Sequence, residues 1–363
     1  MNIYALLVAL VLVTALLMRG YQQGNKKYVI VAFLLLFAVY GLRDCYSIGN
    51  DSSSSYLHQF QRMPDTNWQQ ITSGGINTNI GFQLLNKAVY ELSKGDYQVL
   101  ISLIAAFVTV CFCRTIYKYS PNPLASILYH FGLLFYLFHF NALKQSIAMG
   151  IVMLAFDRLV ERKPIRFLLL ILIGSQFHFP SIIFLLAYPI CKLRPGRSFV
   201  ILLAVALALT YTFRTQILNF MLSLYKDEDT TVASMEGIAF LRTKALIMIF
   251  IIVAAVMFRK PRAEDRVYSI LLEFMGIAVV LQTFCGYNNI FERLADYYFQ
   301  FSVIFIPMVF DRHADREPLF SWRFMSVVDT AAPYLFCGFG IYRFLTVVVK
   351  DPTIYPYRFF FQV

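Results

Sequence analysis

A chain of 363 residues in which 59% are hydrophobic and 15% charged carries more apolar surface than one water-soluble core can bury. Its formal net charge of +11 does not point to nucleic acid, because Lys and Arg recur at the ends of apolar stretches and do not gather on one segment. The six cysteines, at 45, 111, 113, 191, 285 and 337, show no CxxC spacing and no histidine at ligand distance, so neither a disulfide framework nor a zinc site is indicated.

In chain order the apolar segments predict twelve membrane-spanning helices, near 2–18, 28–42, 97–113, 122–140, 142–159, 164–178, 180–191, 198–213, 242–258, 267–287, 294–310 and 324–348. A full span takes about 20 apolar residues, with slack for tilt and for shielding by neighbours. The first is followed by Arg19, Lys26 and Lys27 and lacks a small-residue cleavage site, so it reads as a retained span and not as a removed signal peptide. Alternate connectors are basic. They hold Arg19, Lys26 and Lys27, then Arg114 and Lys118, then Arg158, Arg162, Lys163 and Arg166. Lys192, Arg194 and Arg197 follow, then Arg259, Lys260, Arg262 and Arg266, then Arg312, Arg316 and Arg323. Most of the 32 basic residues fall in these connectors, against a third of the 21 acidic ones, which assigns them to the cytoplasmic side. The expected fold is an all-α polytopic membrane protein, a single transmembrane domain over residues 1–363.

Two outward segments are too long to be mere turns, which is where function usually sits. Residues 43–96 contain the polar run Gly49-Asn50-Asp51-Ser52-Ser53-Ser54-Ser55, a Gly74-Gly75 break, and Gly81 to Leu92. In that last stretch Phe82, Leu84, Leu85, Val89 and Leu92 approximate the stripe of an amphipathic interfacial helix. Residues 214–244 hold Asp227-Glu228-Asp229 between an amphipathic stretch from Ile217 to Tyr225 and a re-entry marked by Arg242 and Lys244.

Charges left on the outer level are informative, because loop-charge asymmetry gives no reason for them. Arg43 and Asp44 close the second span, and Asp51 follows; an ion pair at a helix end is the structural alternative to an anion contact beside a general base. Lys144 and Gln145 open the fifth span, where a lysine either snorkels to the headgroups or contacts a phosphate. His178 sits in Gln176-Phe177-His178-Phe179-Pro180, where the proline must break the helix. A hydrogen-bonded structural histidine competes there with a phosphate donor or proton shuttle. Arg293, Asp296 and Tyr297, at i, i+3 and i+4, share one helix face, as an intrahelical pair with an interfacial Tyr or as part of a site. Cations without clustered carboxylates point to an anion, and a phosphate at the membrane surface belongs to a lipid headgroup.

At these residues the chain resembles the EpsG-like, Wzy-type bacterial polysaccharide polymerases. Gly41-Leu42-Arg43-Asp44, then Gly49-Asn50-Asp51 and Tyr56, is similar to the family's opening pattern. Gly81-Phe82-Gln83-Leu84-Leu85-Asn86, Lys144-Gln145-Ser146-Ile147-Ala148, His178-Phe179-Pro180-Ser181 and Arg293-Leu294-Ala295-Asp296-Tyr297 match later elements in order. Two positions depart: the family usually has Arg where Lys144 stands, and often a Glu ahead of the Gly-Phe, where this chain has Asn79-Ile80.

The resemblance implies a GT-C-like membrane glycosyltransferase with its active site on the extracytoplasmic side of the plasma (inner) membrane. A polyprenyl-pyrophosphate-linked glycan would be transferred to a sugar hydroxyl of a new lipid-linked repeat unit. Arg43, Lys144 and Arg293 would hold the pyrophosphate, with His178 beside them, while Asp44, Asp51 or Asp296 serves as general base and Gln145 and Tyr297 contact substrate. Neither metal nor cofactor is expected, and the partners are the lipid-linked glycans, the bilayer and a chain-length regulator protein. A flippase for lipid-linked sugars should instead line a path through the bilayer with its charges. An acyltransferase should pair a His with an acid, and an O-antigen ligase would share the leaving group.

Overall fold

The computed structural model describes residues 2–73, 79–192, 197–213, 215–217, 219–220, 243–258, 265–282, 290–311 and 323–362. The Gly74-Gly75 break, the Asp227-Glu228-Asp229 run and the Arg242 re-entry lie outside them. Among the described residues the fold is all-helical, with one isolated β-bridge between Arg43 and Phe359. In order the α-helices are α1 Ile3–Met18, α2 Lys26–Gly41, α3 Asn50–Ser53, α4 Ser55–Gln61, α5 Trp68–Thr72, α6 Ile80–Ser93, α7 Tyr97–Tyr119, α8 Pro123–Gly132 and α9 Phe135–Asn141. Then come α10 Leu143–Val160, α11 Pro164–Phe177, a 3-10 helix Phe179–Leu186, α12 Ala187–Ile190, α13 Arg197–Thr212, α14 Thr243–Phe258, α15 Arg266–Gln282, α16 Ile290–Phe299, α17 Ser302–Val309 and α18 Arg323–Lys350.

Each predicted apolar segment coincides with one helix or a consecutive pair. Among the described residues only Tyr97–Tyr119 and Ala331–Lys350 are by themselves long and apolar enough to cross a membrane, and α8 with α9, bent by 56°, would make a third. The other apolar helices are shorter because the chain interrupts them. At the α8–α9 break Leu134 takes φ 66, and Arg343 of α18 donates to the freed carbonyl of Gly132 at 3.4 Å. That reach is possible because α18 packs backbone to backbone: a Cβ on Gly132 would stand 2.7 Å from the Cα of Gly340.

Helix starts are written in the sequence. Asn2, Asn25, Asp96 and Asn122 accept hydrogen bonds from the first free N–H groups of α1, α2, α7 and α8, each worth about 1 kcal/mol. Asn25 works twice, since its Nδ2 also donates to the Met18 carbonyl at 2.5 Å and closes the end of α1. Its neighbour Arg19 reaches the left-handed conformation that stops the helix.

Polar contacts between distant segments fall into two sets. In the first, Leu124 N donates to Gly20 O at 3.0 Å and Arg266 Nη2 to Leu159 O at 3.3 Å. Asp157, 1% exposed, takes Arg114, Lys118 at 3.0 Å and the Tyr119 hydroxyl at 2.7 Å. In the second, Tyr4 Oη donates to Ile354 O at 3.1 Å, Gly49 N to Thr353 O at 2.7 Å and Asp44 N to Arg358 O at 2.9 Å. Gln145 reaches Arg293 and His178 reaches Tyr297 in the same set. Every one of these contacts joins segments that loop charge assigns to a common level. Glu161, exposed in the basic set, has its carboxyl held below the usual range by its hydrogen bond to Lys163 and by the charges of Arg158, Lys163 and Lys118.

The amphipathic helix forms as α6, but its buried face is rotated from the expected stripe. Phe82 and Val89 are buried together with Gln83, Asn86 and Lys87, while Leu92 is exposed. Lys87 explains the rotation, because its ammonium donates to the Met63 carbonyl at 2.9 Å and pairs with Glu91 at 3.2 Å, so the polar side turns under the outer segment.

The two sets predict a labelling pattern. In a background lacking native thiols, single cysteines at Ser54 and Arg358 should share one accessibility to a membrane-impermeant maleimide in intact cells. A cysteine at Lys163 should show the opposite one. Equal labelling of Ser54 and Lys163 would break the two-level arrangement.

Candidate functional site

The site forms where three helices end or begin beside one another. Helix α11 stops at Phe177 because Pro180 cannot continue it, and His178 is left extended at φ −150 and ψ 103 before the 3-10 helix starts. The N-terminus of α6 abuts this break. Asn79, at φ 74, accepts the Phe179 N–H at 3.3 Å, and a Cβ on Gly81 would press on Gln176 at 3.0 Å, so glycine allows the close approach there. Helix α10 begins at Leu143 on the same level, and α16 lies across both.

His178 is buried, and its Nδ1 lies 2.6 Å from the Tyr297 hydroxyl of α16. Gln145 Nε2 donates to the Arg293 carbonyl at 2.8 Å, which ties the start of α10 to α16. The Lys144 ammonium stands over the rings of Phe82 at 5.4 Å and Tyr56 at 5.6 Å, and those two rings meet edge-on at 5.5 Å. Such cation–π contacts hold the ammonium against the two rings. The Arg293 side chain is exposed, and the charges of Arg293 and Lys144 both act on the His178 ring. Lys144, Gln145, His178, Arg293 and Tyr297 thus form one constellation from three separate stretches of chain.

The remaining candidates sit differently. Arg43 is fully buried; its Nη2 donates to Phe140 O at 2.9 Å and to Ser52 Oγ at 3.1 Å, and its guanidinium lies 4.5 Å and 5.0 Å from the rings of Phe140 and Tyr40. The chain end covers it, through the bridge to Phe359 and the hydrogen bond from Phe360 N to Leu42 O. Arg43 therefore braces the end of α9, immediately before the turn that presents Lys144, and does not itself line the constellation. It does not pair with Asp44 either, since neighbours on extended backbone point to opposite sides. Asp44 is buried and spent on its own turn, accepting from Tyr46 N at 3.1 Å and from the Ser47 hydroxyl. Asp296 is buried and turns to Lys244 at 2.5 Å, which also pairs with Glu292 at 3.1 Å. Of the three carboxylates expected as a base, Asp51 alone is half exposed, in the first turn of α3.

Lys244 escaped the sequence reading of the site, although it was noted as the start of the ninth span. The signal was present: it is a basic residue at the end of an apolar helix that loop charge assigns to the outside, where that asymmetry provides no explanation for it.

The family model described as the EpsG family matches residues 26–359. No curated protein and no solved structure matches the chain. The match spans every motif that carries the resemblance, and together with the apolar helices it marks a membrane protein of polysaccharide biosynthesis.

Lys244→Met should cost about 3–5 kcal/mol, because it leaves the Asp296 carboxylate buried without its cation. Adding Asp296→Asn should restore part of the loss, measured as thermal unfolding of the purified protein in detergent. Equal stability of the wild type and Lys244→Met would show that the pair does not hold α16 in place.

Proposed function

Since this chain belongs to the EpsG family, we propose that it is a polysaccharide polymerase acting on lipid-linked repeat units. It would be one GT-C-like transmembrane unit of twelve crossings in the bacterial plasma (inner) membrane, with outer segments 43–96 and 214–244 and the site at the extracytoplasmic level. The donor is a growing glycan on polyprenyl pyrophosphate, and the acceptor is a hydroxyl of a new lipid-linked repeat unit. The hydroxyl oxygen attacks the anomeric carbon, the carbon–oxygen bond to pyrophosphate breaks, and the hydroxyl proton passes to a base.

One observation carries this reading: the helix ends that bear Lys144, His178 and Arg293 are joined by the Gln145–Arg293 and His178–Tyr297 hydrogen bonds, at the level that loop charge assigns to the outside. Negative charge grows on the leaving pyrophosphate as the bond breaks. Cations and donors already in place stabilise that transition state more than the ground state, because no reorganisation is needed. Asp51 is the proposed base, as Asp44 and Asp296 are engaged elsewhere. Gln145 acts by holding α10 to α16, and a chain-length regulator protein would act from outside this constellation. A flippase would need cations along a transverse path, whereas these side chains share one level.

Lys144→Ala or Arg293→Ala should lower polymerisation by about 10²–10³-fold while the protein remains inserted, the usual range for losing one stabilising donor. Extracted glycolipids should then accumulate as single repeat units. Wild-type chain lengths in cells carrying either variant would overturn the assignment.

A further inference from the structure

His178 can serve the proposed site as a base, through a bare ring nitrogen, or as a donor, through an N–H. Which of these it offers depends on what the other nitrogen does. Its Nδ1 is engaged with the Tyr297 hydroxyl at 2.6 Å, with both side chains buried. Hydrogen bonds donated to oxygen run at about 2.5–3.0 Å from an O–H and at about 2.7–3.2 Å from an N–H. The separation falls below the ordinary N–H range and inside the O–H range. That short separation favours Tyr297 as the donor and Nδ1 as the acceptor.

We infer that Tyr297 is a positioning residue that fixes His178 in the Nε2–H tautomer, so that the ring presents a hydrogen-bond donor to the departing pyrophosphate and cannot act as the general base. Two features of the fold support this assignment. The main chain around His178 is fully committed, since its N–H bonds Gly174 O and its carbonyl accepts from Ser181 N, both at 3.0 Å, so the ring cannot follow a moving backbone. Tyr297 is equally fixed, being wholly buried on α16, which Gln145 anchors one turn away through the Arg293 carbonyl. A neutral donor beside Lys144 and Arg293 also adds to anion binding without a third positive charge at close quarters. Tyr297 then contributes to catalysis through His178, and the Tyr-for-substrate contact drawn from the sequence is replaced by a tyrosine that faces histidine.

The inference rests on the polymerase reading for its consequence, although the tautomer itself does not. Nitrogen-15 spectra of histidine-labelled protein in nanodiscs, with the His178 signals assigned by their loss in His178→Gln, should show a bare Nδ1 and a protonated Nε2. In Tyr297→Phe that single form should give way to a mixture. A protonated Nδ1 in the wild type would overturn the assignment, whatever the enzyme makes. Activity supplies the second readout. A Gln amide can place its N–H near the Nε2 position, whereas an Asn amide reproduces only Nδ1. His178→Gln should retain about tenfold more polymerisation than His178→Asn, and Tyr297→Phe should lower turnover at saturating substrate with little change in apparent KM. The reverse order of Gln and Asn would overturn the donor role. Full activity in both would remove His178 from the site, and with it this inference, while Lys144 and Arg293 remained to be judged by their own variants.

Discussion

Hydrocarbon offers no partner to a polar group, so every charge and every broken helix turn in this chain must be satisfied by the protein itself or carried to a surface. That constraint orders the whole molecule. Asp157 is almost fully buried and draws Arg114, Lys118 and Tyr119 onto one carboxylate, which gathers α7 and α10 at one level. At the other level the same demand gathers different groups. Asp296 takes Lys244, His178 takes Tyr297, and the Arg293 carbonyl takes Gln145. Few polar side chains are available in so apolar a sequence, and their pairings decide which helices are neighbours.

The constellation arises where helices are interrupted. Leu134, Ala142 and His178 each stand at a point where helical backbone gives way, and each interruption leaves N–H or C=O groups that need partners. Asn79 supplies one, Arg43 another through Phe140, and Arg343 a third through Gly132. The interruptions shorten the apolar helices, and they also turn Lys144 and His178 toward α16. A set of uninterrupted long spans would place these side chains on lipid-facing surfaces with no reason to meet. Arg43 illustrates the distinction between bracing and lining the constellation: it is enclosed by Tyr40, Phe140 and Phe359, and it holds the end of α9 before the turn that presents Lys144.

The sequence made the helices and the constellation legible to different depths. Apolar runs of 12 to 25 residues punctuated by Lys and Arg located the helical segments, because hydrophobic length and loop charge are both local properties. Lys144, His178, Arg293 and Tyr297 stood out as polar groups, at the level that loop charge assigns to the outside, with no topological excuse. Their mutual contacts did not, since the His178–Tyr297 bond spans 119 positions and the Gln145–Arg293 bond 148. Arg43 looked equivalent to them in sequence. What separates it is residues 351–362 folding back over it, and no hydrophobic period or capping signal in that stretch announces the fold-back. The stripe of α6 failed for a similar reason, because a lysine bonded to a distant carbonyl outweighed the local apolar pattern.

A photoreactive polyprenyl pyrophosphate, cross-linked to the protein in membranes and mapped by mass spectrometry, reads the location of the anion directly. Adducts on the peptides carrying Lys144, His178 and Arg293, displaced by excess unmodified lipid pyrophosphate, are the predicted result. Displaceable adducts confined to the connectors around Asp157 would contradict the account.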